Sequence, residues 1–236
     1  MKEVVISFLV KYRYWLLISL FALLAWGAIT ANLIIENSKK EALYLKTERE
    51  IFKSEINTIL KSYEYFSNYI YQKVVLRPEV LGLMEKAATG TDKEKYSSRD
   101  ALYTMLKNDY LLLQKYSFRQ LHFHLPNGDS FLRFHTPKQY GDNLMNVRDA
   151  IRIVNTEKHY VFGFEEGRVF NGYRFVYPIS KDGRHLGSVE VSVSMATLFD
   201  VLYNLYPDID LYFLIVECQD IVDSFCARTS WTLKVN

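Results

Sequence analysis

Cysteine, proline and glycine are all scarce in this chain of 236 residues. Two cysteines, Cys218 and Cys226, are too few for a disulfide framework or a four-cysteine zinc site. They pair with each other in an oxidising compartment or stay apart. Five prolines and ten glycines exclude a collagenous or low-complexity chain. Net charge is also lacking. Twenty-nine Lys and Arg against 27 Asp and Glu leave +2, so there is no electrostatic footprint for nucleic acid and no nucleic-acid partner is expected. The sequence has no Gly-x-Ser-x-Gly, no HExxH and no Cys–His pair in a motif setting. It therefore reads as no enzyme and implies no cofactor. Gly163 and Gly167 bracket Phe164-Glu165-Glu166, but no Lys-Ser/Thr and no helix follow, so this is not a phosphate loop. Aromatic residues at 15% and apolar residues at 49% exclude disorder for most of the chain.

One long hydrophobic run is present. Tyr14–Ile35 carries no charge in 22 residues, enough to cross a hydrocarbon core of about 30 Å as a helix. Trp15 sits at the interface position, and Lys2, Lys11 and Arg13 precede the run with only Glu3 opposing them. The positive-inside rule then puts residues 1–13 in the cytoplasm and everything after Ile35 outside. The rival, a cleaved signal peptide, needs a shorter apolar core and a better small-residue site than Ala28-Ile29-Thr30-Ala31. The expectation is a single-pass protein of a bacterial inner membrane.

Residues 36–77 read as a helical stalk. Between Glu36 and Val75 there is no Pro or Gly, and Leu45, Phe52, Ile56, Ile59, Tyr63, Phe66, Ile70 and Val74 recur at helical spacing. That stripe suits the core of its own domain or a parallel homodimer seam. Residues 78–118 suggest two short helices around a polar linker, Thr89–Ser98. In 119–195 the period becomes alternating. Strands Arg119–Leu125 and Ser130–His135 flank the hairpin signal Asn127-Gly128. A short helix at Val147–Asn155 follows, then strands Tyr173–Ile179 and His185–Ser194 around a second turn, Lys181–Arg184. Residues 196–236, with a strand at Leu211–Val216, read as the start of a second module and an irregular tail. The order implies an α+β fold, an antiparallel PAS-like sheet with helices to one side.

A two-residue loop at Asn127-Gly128 places Leu125 opposite Ser130, Phe123 opposite Leu132 and Leu121 opposite Phe134 on an apolar face. The other face then pairs His124 with Phe131, His122 with Arg133 and Gln120 with His135. Glu190 lies on the same side of its strand, away from Val189, Val191 and Val193. This polar face is either solvated or the wall of a pocket. The candidate ligand-binding residues are His122, His124, Arg133 and His135, with Tyr140, Arg148, Glu165, Arg168, Tyr173 and Glu190 as walls. Arg133 suits a bidentate carboxylate, which points to a small organic anion as the ligand. His-x-His on a strand, with His135 as a third donor, also suits a metal. Arg133 between them is an unwelcome cation, so no metal is expected.

LHFHLPNGDSFLRFHTPKQYGDNL at Leu121–Leu144, then Arg148, GFEEGR, GYRFVYPI and GSVEVSVS, resembles the double Cache sensory domain of bacterial two-component sensor kinases. Chemoreceptors and diguanylate cyclases carry the same domain type. The resemblance covers about Glu36 to Val222. It implies a periplasmic domain of two stacked PAS-like modules between two membrane helices, a dimerising long helix, a small-molecule ligand and a cytoplasmic output domain. Here the second module is only begun, and no second membrane helix or output region follows, so the resemblance implies a truncated receptor. The competing expectation is a non-catalytic subunit that dimerises with a full-length receptor through the long helix.

Overall fold

The computed structural model describes residues 2–167, 170–207, 210–216 and 228–234. The chain divides into two compact units, Met1–Glu55 and Ile56–Asn236. Helix α1 runs from Lys2 to Ile70. In the first unit, Trp15, Phe21, Leu23 and Trp26 are exposed around its circumference. Such a surface is apolar on every side, and the helix is long and apolar enough to cross a membrane.

The second unit begins with the last turns of α1. A π-helical turn at Tyr71–Val75 ends it, before Pro78 is reached. Pro78 instead opens α2 (Pro78–Thr89), where its missing N–H costs nothing and Arg77 takes the extended backbone that proline demands of its predecessor. The expected linker Thr89–Ser98 shrinks to Gly90-Thr91. Thr91 and Glu94 form a capping box, with the Thr91 N–H donating to Glu94 at 2.7 Å, and this starts α3 (Asp92–Lys115) inside the expected linker.

Five strands follow: β1 (Gln120–His124), β2 (Ser130–Arg133), β3 (Val161–Glu165), β4 (Gly172–Lys181) and β5 (Arg184–Ser194). They form one antiparallel sheet in the order β2-β1-β5-β4-β3. Helix α4 (Asp149–Glu157) joins β2 to β3, and α5 (Met195–Leu205) leaves β5. Strands β6 (Asp210–Val216) and β7 (Arg228–Lys234) pair with each other. The fold is α+β, as expected. Strand β3 and helix α5 were not expected. The sequence pattern predicts no strand between Asn155 and Tyr173, yet Val161–Glu165 is an edge strand registered along β4. Helix α5 buries Leu198 and Leu202, so the stretch after β5 belongs partly to the first sheet's core. Cys218, Cys226 and the rest of 217–227 lie outside the described residues.

One sheet face carries the main core. Leu121, Phe123, Phe175, Val189, Val191 and Val193 pack there with Val80, Met84, Leu102, Leu106 and Leu113 from α2 and α3. Ile59, Tyr63 and Phe66 of α1 pack against the same cluster. This part of the stripe on the long helix therefore serves the core of its own domain. The register of β1 with β2 also departs from expectation. Phe123↔Leu132 and His122↔Arg133 hold, but a bulge makes Ser130, not Phe131, the partner of His124. The extra residue moves Phe131 off the polar face into the main core, fully buried. The cause is the turn. The Leu125 N–H donates to the Asp129 carbonyl at 2.9 Å, so the hairpin closes one residue wider than a two-residue loop.

Candidate ligand-binding site

The second sheet face is polar and buried. Strict alternation puts Gln120, His122 and His124 of β1, Ser188, Glu190 and Ser192 of β5 and Arg174 of β4 on it. All seven are buried. Helix α4 covers one end, where Ala150, Ile153 and Val154 pack on Val161 and Val176. The segment 134–148 covers the other.

Burial on this scale demands partners, and the face supplies them. One Glu190 oxygen accepts from Arg174 at 2.9 Å and the other from Arg148 at 2.9 Å. Arg148 also donates through Nε to Glu165, and the second Glu165 oxygen accepts the Ala150 N–H at 3.3 Å in the first turn of α4. Burial works to push the Glu190 carboxyl up, but Arg148 and Arg174 together hold it well below the usual carboxylate range. At Glu165 burial prevails over Arg148 and the carboxyl is pushed up. Burial also pushes the histidines down: His122 well below its ordinary value, His124 to about 3 and His135 to about 4. All three are neutral near pH 7.

Above this floor lies a cavity of about 800 Å³. Its walls include Gln120, His122, His135 and Arg174 from the sheet side, and Thr136, Tyr140 and Arg148 from the covering segment. Of the residues named from sequence, His122, Arg133, His135, Tyr140 and Arg148 line it. His124, Glu165 and Glu190 lie in the buried network that supports it, and Arg168 lies outside the described residues. Tyr173 does not belong here: it points to the opposite face, in the main core, edge-on to Phe164. Its neighbour Arg174 faces the site. The parity of Tyr173-Arg174-Phe175 carried that signal, since an arginine between two core aromatics must point the other way.

Arg133 has a role other than the one expected. Its guanidinium grips Asp142 in a fork of 2.7 and 2.8 Å and donates to the Gln139 carbonyl at 3.0 Å. The bidentate carboxylate belongs to the protein's own loop. Arg99 adds a second clamp, its guanidinium 3.6 Å from the Tyr140 ring centre.

Gln120 fixes the chemistry of one wall. Its Oε1 accepts from Arg174 at 2.9 Å and from Ser192 at 3.1 Å, so its Nε2 faces the Nε2 of His135 at 3.2 Å. The amide N–H must donate there, which leaves the neutral ring's proton on His135 Nδ1. That Nδ1 has no partner. Neither do His122 Nδ1 and Thr136 Oγ1, both buried and on residues lining the cavity, whereas Arg174 Nε lies 4.0 Å from a Glu165 oxygen. Leaving such a group unmet costs about 1–3 kcal/mol.

The sequence model for the "double sensory domain of two-component sensor kinase", dCache_3, matches residues 100–226. The sensor domain of the V. cholerae histidine kinase DctB superposes with a TM-score of 0.54 at 14% identity, over 71% of this chain and 60% of that one. The sensory domain of the Campylobacter jejuni chemoreceptor Tlp3, solved with isoleucine bound, gives 0.50 at 15%, over 71% and 66%. A domain assigned to the sensory box/GGDEF family, from Vibrio parahaemolyticus, gives 0.50 at 16%, over 80% and 75%. At these identities the likeness is one of fold, and the chain spans less than two thirds of the first two structures. No curated protein sequence matches the chain.

Proposed function

The chain belongs to the double sensory domain family of two-component sensor kinases, and from that premise we propose that its cavity is the recognition site of an extracytoplasmic receptor for a small polar molecule. The observation that carries this reading is a cavity of about 800 Å³ walled by polar side chains, above a buried network in which Arg148 and Arg174 hold Glu190. That volume lies within the range of small-molecule sites, and the polar walls offer a ligand both donors and acceptors.

The charge inventory refines the ligand class. Arg133 is matched by Asp142, and Arg148 and Arg174 are matched by Glu165 and Glu190. With Lys138 and Glu166, which also line the cavity, four cations meet four carboxylates, so the walls carry no surplus positive charge to attract an organic anion. A ligand of low net charge, an amino-acid zwitterion or a neutral polar molecule, suits such walls better than a small carboxylate. The Tlp3 neighbour solved with isoleucine supports testing that class first.

In this reading Tyr14–Ile35 is a single anchor in a bacterial inner membrane, with the sensor unit on the far side from Lys2, Lys11 and Arg13. A homodimer along the long helix then uses the face bearing the exposed Tyr65 and Tyr69, since Ile59, Tyr63 and Phe66 are engaged within the domain. The test is a thermal-shift titration of the detergent-solubilised chain with the L-amino acids and with C3–C6 dicarboxylates. The expected result is saturable stabilisation by an amino acid, lost in Gln120→Leu, which removes the group that orients His135. Stabilisation by dicarboxylates alone overturns the ligand class. Stabilisation by neither set, or stabilisation that Gln120→Leu leaves intact, overturns the site.

A further inference from the structure

We infer that His122, His124 and Glu190 form a binding site for a divalent ion of the zinc class, set in the sheet beneath the cavity. The three side chains offer one ligand atom each within 4.8 Å of one another. The strands bring them together. His122 and His124 are i and i+2 on β1 and share a face, and Glu190 is the direct cross-strand partner of His122 on β5. Their imidazole ring centres are 4.0 Å apart.

The second observation is the state of the ring nitrogens. His122 engages Ser130 Oγ through Nε2 at 2.8 Å, and His124 engages Ser188 Oγ through Nδ1 at 3.0 Å. Ser188 Oγ is itself held by the Asn155 amide at 3.0 Å. The opposite nitrogens, His122 Nδ1 and His124 Nε2, are buried and have no partner at all. This is the arrangement that metal-binding histidines adopt. In the tautomer whose proton lies on the nitrogen facing the serine oxygen, the other nitrogen keeps its lone pair for a metal. Two such rings sit side by side, and both nitrogens left over are unmet, a costly coincidence for a purely structural core.

The arginines around the site do not forbid a cation. Arg133, which argues against a metal from sequence, is neutralised by Asp142, and Arg148 and Arg174 by Glu165 and Glu190. An incoming ion meets three positive and three negative groups. Each Glu190 oxygen accepts one guanidinium bond, and a carboxylate oxygen has two lone pairs, so one per oxygen remains. Two imidazoles and a carboxylate are a zinc-type donor set, which leaves a fourth position for water. His122 also lines the cavity, which gives the ion its way in.

The test uses the detergent-solubilised full chain, stripped with a chelator. Zn²⁺ titrated by calorimetry is expected to bind one ion per chain at micromolar or tighter affinity. His122→Gln and His124→Gln, each checked for folding by circular dichroism, are expected to weaken binding at least tenfold, while His159→Gln, an exposed site elsewhere, leaves it unchanged. Binding that survives both core variants, or is abolished by His159→Gln, shows an adventitious ion only and overturns the inference, as does no binding below 100 µM. Should the core variants fail to fold, Cu²⁺ on the wild-type chain decides. Electron paramagnetic resonance should show coupling to two imidazole nitrogens, and a spectrum without it overturns the site. None of these readouts depends on an organic ligand, so the proposed receptor function stands or falls separately.

Discussion

Neighbouring residues of β2 have opposite fates, and this gives the sharpest test of the register. Leu132 is buried against the helices, whereas the Arg133 side chain serves the loop through Asp142. Leu132→Asp places a charge in the main core without a partner and should leave the sensor unit unfolded by circular dichroism. Arg133→Ala should keep the fold and release the loop, seen as faster amide exchange at residues 139–143. The reverse outcome would mean that the faces are misassigned. His135 supplies a pH prediction. Burial lowers its folded value to about 4, Glu190 opposing and Arg133, Arg119 and Arg174 assisting. The unfolded ring, with an ordinary value near 6.5, takes up its proton first as the pH falls. The contribution of His135 is thus fully present above about pH 6.5 and is lost progressively toward pH 4. Urea titrations across that window should show a fall in stability, and His135→Gln should make it shallower. An unchanged slope in the variant would assign the loss to other groups.

At the scale of elements, the sheet depends on one close approach. Gly187 of β5 has φ +130°, and a Cβ there would lie 2.0 Å from the His124 carbonyl oxygen of β1. Both conformation and space therefore demand glycine. Gly187→Ala should destabilise the domain by about 1–3 kcal/mol from backbone strain alone, with the clash added. Gly183, at the β4–β5 turn with φ +75°, meets nothing within 4 Å. Gly183→Asn, a residue that tolerates the left-handed region, is the matched control and should cost much less. Equal losses in chemical denaturation would show that the β1–β5 contact is looser than 2.0 Å implies. The long helix is tied to the same sheet by stacked rings. Tyr71 lies on Tyr177 and Tyr177 on Tyr160, each at 4.5 Å, and Tyr160 donates to Glu64 at 3.2 Å.

For the whole molecule, the prediction concerns topology. By the positive-inside rule, the charges flanking Tyr14–Ile35 lead us to expect the sensor unit outside the cytoplasm. Tyr96 is exposed on α3, so Tyr96→Cys should react with a membrane-impermeant thiol reagent in intact spheroplasts. Gly90 is unsuitable for the label, because a Cβ there would lie 2.4 Å from the Lys86 carbonyl. Protection of Cys at position 96 until lysis would reverse the orientation.

The sequence alone determined whatever depends on local order. A charge-free run long enough for a bilayer, the helical spacing of Ile56, Ile59, Tyr63 and Phe66, and the alternation of Ser188 to Val193 each follow from residues close in the chain. The hairpin and the grouping of His122, His124 and Glu190 on one face follow from the same parity. Strand β3 was hidden because an edge strand of five residues with a central glycine looks like loop, and only pairing with β4 makes it a strand. The bulge at Phe131 was hidden because one inserted residue shifts parity without leaving a mark in composition. Tertiary structure also decided the roles of the charges. An arginine on a strand looks the same whether it awaits a ligand or holds a loop. Arg133 holds Asp142, nine residues on, and Arg174 meets Glu190 across two strands. Which carboxylate reaches which guanidinium is set by how the covering segment closes over the sheet. Closure buries these pairs, and burial is what makes each of them matter.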